Sequence, residues 1–120
     1  MDSTNSVGKS GEEIAMQFLV QKGYIIVGRN YRFGKGEIDI IAEDCDELVF
    51  VEVKYRKSDE YGHPVYAIST GKQKQLVKLA KSYLYVKNIS NKIIRFDVVT
   101  IKKELETEII EHIKDAFMEW

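Results

Sequence analysis

The chain has little of what anchors proteins covalently or in membranes. Its 120 residues include one cysteine, one proline, one tryptophan and two histidines. The lone thiol, Cys45, has no internal partner, so no disulfide framework exists and a reducing, cytoplasmic setting is the expectation. His63 and His112 lie far apart and cannot join one cysteine in a closed zinc site. Cys45 stands among acids in Glu43-Asp44-Cys45-Asp46-Glu47, which disfavour a thiolate nucleophile. Apolar runs such as Leu48-Val49-Phe50-Val51 are far short of the ~20 residues that a membrane span requires. Residues 1–11 are polar, without the apolar stretch of a secretory signal. With 44% hydrophobic and 31% charged residues, the composition fits one soluble domain spanning 1–120 and excludes collagen-like or wholly disordered chains. Residues 1–9 are expected to be disordered.

The net charge of −1 is unevenly distributed. Residues 1–53 carry 5 Lys/Arg against 10 Asp/Glu, residues 54–95 carry 10 against 2, and residues 96–120 carry 3 against 7. A basic middle block can face a polyanion even in a near-neutral chain. It can equally be the solvated face of a lysine-rich helix.

Ser10 and Glu13 form a capping box ahead of Ile14, Phe18 and Leu19, so the first helix is expected to begin there and to end at Gly23. Tyr24-Ile25-Ile26-Val27 reads as a strand. Gly34-Lys35-Gly36 breaks the chain, and strands follow at residues 37–42 and 48–54, joined by the acidic turn as an antiparallel hairpin. Residues 55–69, with Ser58, Asp59, Gly62 and Pro64, read as an exposed loop. A second helix runs from Thr70 to about Lys87, with Leu76, Leu79, Ala80, Tyr83 and Leu84 on its packed face. Residues 93–101 are a further strand, and 107–118 fit either a strand or a helix. The order α-β-β-β-α-β favours an α/β or α+β sandwich, with a central mixed sheet flanked by helices.

The chemistry centres on Glu37, Asp39, Glu52 and Lys54. Residues i and i+2 of a strand share a face, so Glu37 pairs with Asp39 and Glu52 with Lys54. A suitable hairpin register brings Asp39, Glu52 and Lys54 together. Acids set among Ile38, Ile40, Val51 and Val53 are costly to bury unless paired, metal-bound or at the sheet's end. Converging carboxylates make a hard-oxygen site for Mg²⁺ or Mn²⁺. A Glu-x-Lys strand by itself more often marks a solvated sheet face.

Gly36-Glu37-Ile38-Asp39-Ile40-Ile41 followed by Val49-Phe50-Val51-Glu52-Val53-Lys54 resembles the core of PD-(D/E)xK nucleases. Over residues 8–117 the chain is more closely similar to the YraN-type family of small bacterial proteins, related to archaeal Holliday-junction resolvases. Gly11-Glu12, Lys22-Gly23-Tyr24, Arg29-Asn30-Tyr31-Arg32, Lys72-Gln73 and Glu111-His112-Ile113-Lys114-Asp115-Ala116-Phe117 carry the likeness.

The resemblance implies a restriction-endonuclease-like fold with Asp39 and Glu52 as metal ligands and Lys54 as catalytic lysine. It makes the carbonyl of Val53 a further ligand, and Glu12 a metal-supporting acid from the first helix. An acid near a helix N-terminus is also favoured by the macrodipole alone. Gln73 matches a glutamine that some members carry near the site, or is an ordinary first-turn polar residue. Glu37 departs from the superfamily's usual proline. It is either an extra acidic group or part of the family's own signature without a ligand role.

Arg29, Arg32, Lys35, Arg56, Lys57, Lys72 and Lys74 are the candidate phosphate contacts. His63 and His112 read as surface and structural residues. The implied activity is Mg²⁺- or Mn²⁺-dependent hydrolysis of DNA, leaving 5′-phosphate and 3′-hydroxyl ends. No base-reading motif is evident, which favours branched or junction DNA over a defined sequence. Resolvase relatives act as dimers, so a homodimer is an option here. The alternatives are a non-catalytic nucleic-acid-binding module and an adaptor in a DNA-processing assembly.

Overall fold

The computed structural model describes residues 3–56 and 68–117, with side chains from Gly11 onward. The elements are α1 (Ser3–Gln21), β1 (Ile25–Phe33), β2 (Gly36–Asp44), β3 (Glu47–Arg56), α2 (Thr70–Val86), β4 (Ile93–Glu104) and β5 (Thr107–Phe117). They form one five-stranded sheet in the order β1-β2-β3-β4-β5. Only β3 and β4 run parallel; the other neighbours are antiparallel. The right number of residues lies between β3 and β4 for the crossover through α2 that a parallel pair needs. This is the α-β-β-β-α-β core and mixed sheet that the sequence implied. The ambiguous last element is a strand.

Both helices end in the same way. Gly23 takes φ 96, and the amides of Gly23 and Tyr24 reach back to the carbonyls of Val20 and Leu19. Asn88 takes φ 56, and the amides of Asn88 and Ile89 reach Tyr85 and Leu84. These are Schellman closures, with glycine and asparagine tolerating the left-handed backbone. Ser69 caps α2 by accepting the Lys72 amide at 3.2 Å. The capping box expected at Ser10 is not a helix start. The backbone is already helical from Ser3, through the segment expected to be disordered, and Ser10 lies inside α1.

The sheet separates two cores. On the α2 side, Ile38, Ile41, Phe50, Phe96 and Val98 pack with Leu76, Leu79, Ala80 and Tyr83. On the α1 side, Ile40, Ala42, Val49, Val51, Val99 and Ile101 pack with Ala15, Leu19 and Tyr24. Gly36 is required where β2 meets α2, since a Cβ there would lie 2.8 Å from a methyl of buried Leu79.

One irregularity positions the site. Ile38 and Ile40 are two residues apart yet enter opposite cores. The simple alternation expected for β2 therefore fails at Asp39. The β2–β3 ladder ends at Ile40↔Val51, one step before Asp39 would face Glu52. Past that point the strands diverge, and a notch opens through the sheet. Residues 57–67, which include most of the expected exposed loop with Lys57 and His63, lie outside the described residues.

Candidate metal centre

Asp39 stands at the notch and takes over where the ladder stops. Its Oδ2 accepts the Val53 amide at 2.8 Å, a bond that a strand carbonyl would otherwise receive. Glu12 reaches the notch from α1 and Glu37 from β2. Ligand oxygens of Glu12, Glu37 and Asp39 all lie within 4.8 Å of one another. Two oxygens on one cation, at 2.1 Å for Mg²⁺ or about 2.4 Å for Ca²⁺, are at most ~4.2–4.8 Å apart. The three oxygens are thus close enough to converge on a single cation after small side-chain adjustments.

Glu52 closes the notch from the α2 side. It is 9% exposed, stands close enough to Asp39 for the two carboxyls to perturb each other, and lies 3.7 Å from the Lys72 ammonium. Its Oε1 and the Thr100 hydroxyl are buried without a partner among the described residues. Such groups are rare in folded proteins and point to something that should bind there. Burial raises the Asp39 carboxyl to about 6, with Glu12 and Glu37 adding repulsion against the Val53 hydrogen bond. Burial and then the charge of Asp39 raise Glu52 to about 7, partly offset by Lys72 and Lys54. An all-oxygen donor set with an orphaned buried oxygen fits a hard divalent cation.

Some of the expected residues lie on β3 or along α2 near the acids. Lys54 is exposed on β3, two residues beyond Glu52 and paired in register with Thr100. Lys72 meets Glu52 directly. Lys35 and Lys74 line clefts along α2. Others are engaged elsewhere. Gln73 donates its amide to the Ile68 carbonyl at 3.2 Å, fastening the start of α2. Arg29 pairs with Glu13 at 3.5 Å and Arg32 with Glu37 at 3.0 Å. These exposed pairs are weak enough for a phosphate to displace. Arg56, expected on the phosphate-facing surface, is instead 7% exposed, with Glu111 at 3.8 Å.

Asn30 is a site residue that the sequence did not single out. It falls opposite Asp39 in the β1–β2 register, takes φ 51, and donates to Glu12 at 2.9 Å. Asparagine is among the few residues at home in that conformation, but nothing in the sequence shows that the turn occurs there.

His112 belongs to a separate buried network. Its Nε2 lies 2.7 Å from Asp97, and its Nδ1 lies 2.8 Å from the Lys22 ammonium. An ammonium can only donate, so Nδ1 accepts and the ring is the Nε2–H tautomer. Arg95, Tyr24 and the Asp115 amide also hydrogen-bond to Asp97. Burial alone would raise the Asp97 carboxyl, but the bonds from His112, Arg95 and Asp115 outweigh it and hold it at about 2.

A family model described as "Uncharacterised protein family UPF0102" matches residues 11–101. The chain belongs to UPF0102. This is the YraN-type family of the restriction-endonuclease-like superfamily to which the motifs pointed. A UPF0102 protein of Syntrophus aciditrophicus is 48% identical over 110 residues, covering 92% of this chain and 87% of its own. Another, from Chlorobium limicola, is 44% identical over 121 residues, covering 96% and 94%. Among solved structures, Pyrococcus furiosus SfsA in complex with Ca²⁺ matches at TM-score 0.40 and 17% identity, over 92% of this chain and 63% of that one. No helix among the described residues of this UPF0102 chain is long and apolar enough to cross a membrane.

Proposed function

We propose that this UPF0102 chain is a divalent-cation-dependent nuclease that hydrolyses DNA phosphodiester bonds. The observation that carries the reading is the Asp39–Glu52 pair. A buried Glu52, with one oxygen unpartnered among the described residues, and a half-buried Asp39 perturb each other's carboxyl and continue into Glu12 and Glu37 across a notch in the sheet. A purely structural acid pair would be expected to have its oxygens satisfied.

Asp39, Glu52 and Glu12 would hold the cation, with Glu37 completing the set and the Val53 carbonyl as a further donor. The bound ion, Mg²⁺ or Mn²⁺, would polarise a phosphoryl oxygen and acidify a water. Lys54, exposed on the same strand, stabilises charge developing on the phosphate and orients the attacking water. Lys72 neutralises Glu52. Asn30 holds Glu12 in position. Cleavage leaves 5′-phosphate and 3′-hydroxyl ends. With no base-reading element in evidence, branched or junction DNA is the favoured substrate, and a homodimer would let two strands be cut together.

The test is cleavage of single-stranded, duplex, flap and four-way-junction DNA in Mg²⁺ or Mn²⁺ by wild type, Asp39→Asn and Lys54→Ala. Wild type should cut. Lys54→Ala should lose roughly a hundredfold or more, the scale of one removed charge-stabilising donor. EDTA should abolish cutting. Activity that persists in both variants would place the chemistry elsewhere. A folded wild type that cuts nothing would favour a binding module.

A further inference from the structure

A second concave surface lies beside the notch. The β1–β2 hairpin turns through Gly34-Lys35, with Gly34 at φ 63 as a two-residue loop requires of its first position. The turn leaves Phe33 61% exposed and leaning over α2. Between hairpin and helix is a cleft of about 330 Å³, within the ~300–1,000 Å³ of small-ligand sites. Phe33, Gly36 and Leu79 form its apolar lining, and Gln75 is its polar group. Lys35, Lys78 and Lys81 rim it. The missing Cβ at Gly36 brings the strand onto Leu79 and Gln75, so the floor is packed in place. Tyr31 and Ser82, 2.8 Å apart, tie the hairpin to the helix behind it.

A neighbouring cleft, lined by Lys72 and Lys74, shares Gln75 and Lys78 with the first. One surface therefore runs from the lysine that contacts Glu52 to the aromatic ring. Its lining, among the described residues, carries five lysines and no carboxylate. The chemistry is that of a ring for stacking, an amide and a cationic rim. A duplex hides its base faces and has no use for an exposed ring. A single strand offers both a π-face and phosphates, and stacking of this kind tolerates any base.

We infer that this cleft binds an unstacked nucleotide of a single strand next to the cutting site, the base stacked on Phe33 and its phosphates held by Lys35, Lys78 and Lys81. The inference rests on the nuclease reading and names the form of nucleic acid that the site accepts. Gln75 lies where its amide meets the base edge.

The experiment is equilibrium binding in EDTA, where no strand is cut. The probes are a labelled oligothymidylate of about 12 nucleotides, within the span of such platforms, its abasic counterpart and a duplex of equal length. Wild type should prefer the base-bearing strand to the abasic one by roughly five- to a hundredfold. Phe33→Ala should erase that preference and leave abasic binding unchanged. Lys78→Ala should weaken both strands alike. In Phe33→Trp, oligothymidylate should quench fluorescence beyond any change seen from Trp120 in wild type. Equal binding of abasic and base-bearing strands, or a preference that survives Phe33→Ala, would overturn the inference. If such a protein still cuts DNA in Mg²⁺, the nuclease reading stands alone. If it neither binds nor cuts, both readings fall.

Discussion

Asp39 and Glu52 place a liability at the centre of the sheet. Both carboxyls are raised, to about 6 and about 7, chiefly by burial. A raised acid favours the folded state while protonated, so its stabilisation is complete below the unfolded value near 4 and is lost as pH rises through the folded one. The cation-free protein should therefore lose stability between about pH 4 and pH 7 through these groups. Asp97 acts in a different window: held at about 2, it contributes fully above about pH 4 and loses that contribution only as pH falls towards 2. Asp39→Asn should flatten the neutral-range decline and be more stable than wild type at about pH 8 by roughly 1–3 kcal/mol. Thermal unfolding in EDTA across that range checks this, and a variant less stable than wild type at pH 8 would contradict it. Asp39, Glu52 and Lys54 were legible from the sequence because charge inside apolar strands is conspicuous. Glu37 was left open, since its proximity to Glu12 depends on how α1 crosses the sheet. Asn30 entered only as part of the Arg29-Asn30-Tyr31-Arg32 likeness and received no role, because a positive φ leaves no mark in composition.

The elements were largely readable, and the departures have specific causes. Glycine and asparagine marked both helix ends, and the apolar runs marked β2, β3 and β4. The last strand was ambiguous because Ile109, Ile110, Ile113, Ala116 and Phe117 follow a spacing of three to four. The structure explains that spacing by a register shift, with Asp115 at φ 52 and its amide on Asp97. Between Ile113 and Phe117 β5 takes four steps where β4 takes two, from Val98 to Phe96, and this insertion disguises the plain alternation. Asp97 thereby fastens three elements: β5 through Asp115 and His112, β1 through Tyr24 beside its first residue, and its own β4 through Arg95. Asp97→Ala would strand the largely buried Arg95 guanidinium, which Asp44 and Glu47 compensate only in part. A loss of about 3–5 kcal/mol is expected, the range for breaking a buried pair. Urea unfolding measures it, and a change under about 1 kcal/mol would show that the network is not what holds β5 down.

For the molecule as a whole, the separation of charge decides how a polyanion approaches. The notch carries four carboxylates, while the surface along α2 carries lysines, and the two lie side by side. The formal charge of −1 provides no long-range attraction, so nearby charges dominate. On the proposed function, a phosphate drawn in by Lys72 and Lys78 would be repelled by Glu12, Glu37 and Asp39 in the absence of a cation, and a bound cation would turn the same acids into its anchor. Ca²⁺ is a suitable probe, because it takes oxygen ligands at longer and more variable distances than Mg²⁺ and tolerates irregular geometry. DNA affinity should rise about tenfold or more, some 1.4 kcal/mol, when Ca²⁺ replaces EDTA. Asp39→Asn should lose most of that rise while keeping the affinity seen in EDTA, because the lysine surface is unchanged. Titrating a labelled strand at fixed ionic strength separates these contributions. A Ca²⁺ effect of full size in Asp39→Asn would mean that the cation acts on the DNA or on another surface. The notch would then be an acidic cluster that happens to adjoin a basic groove.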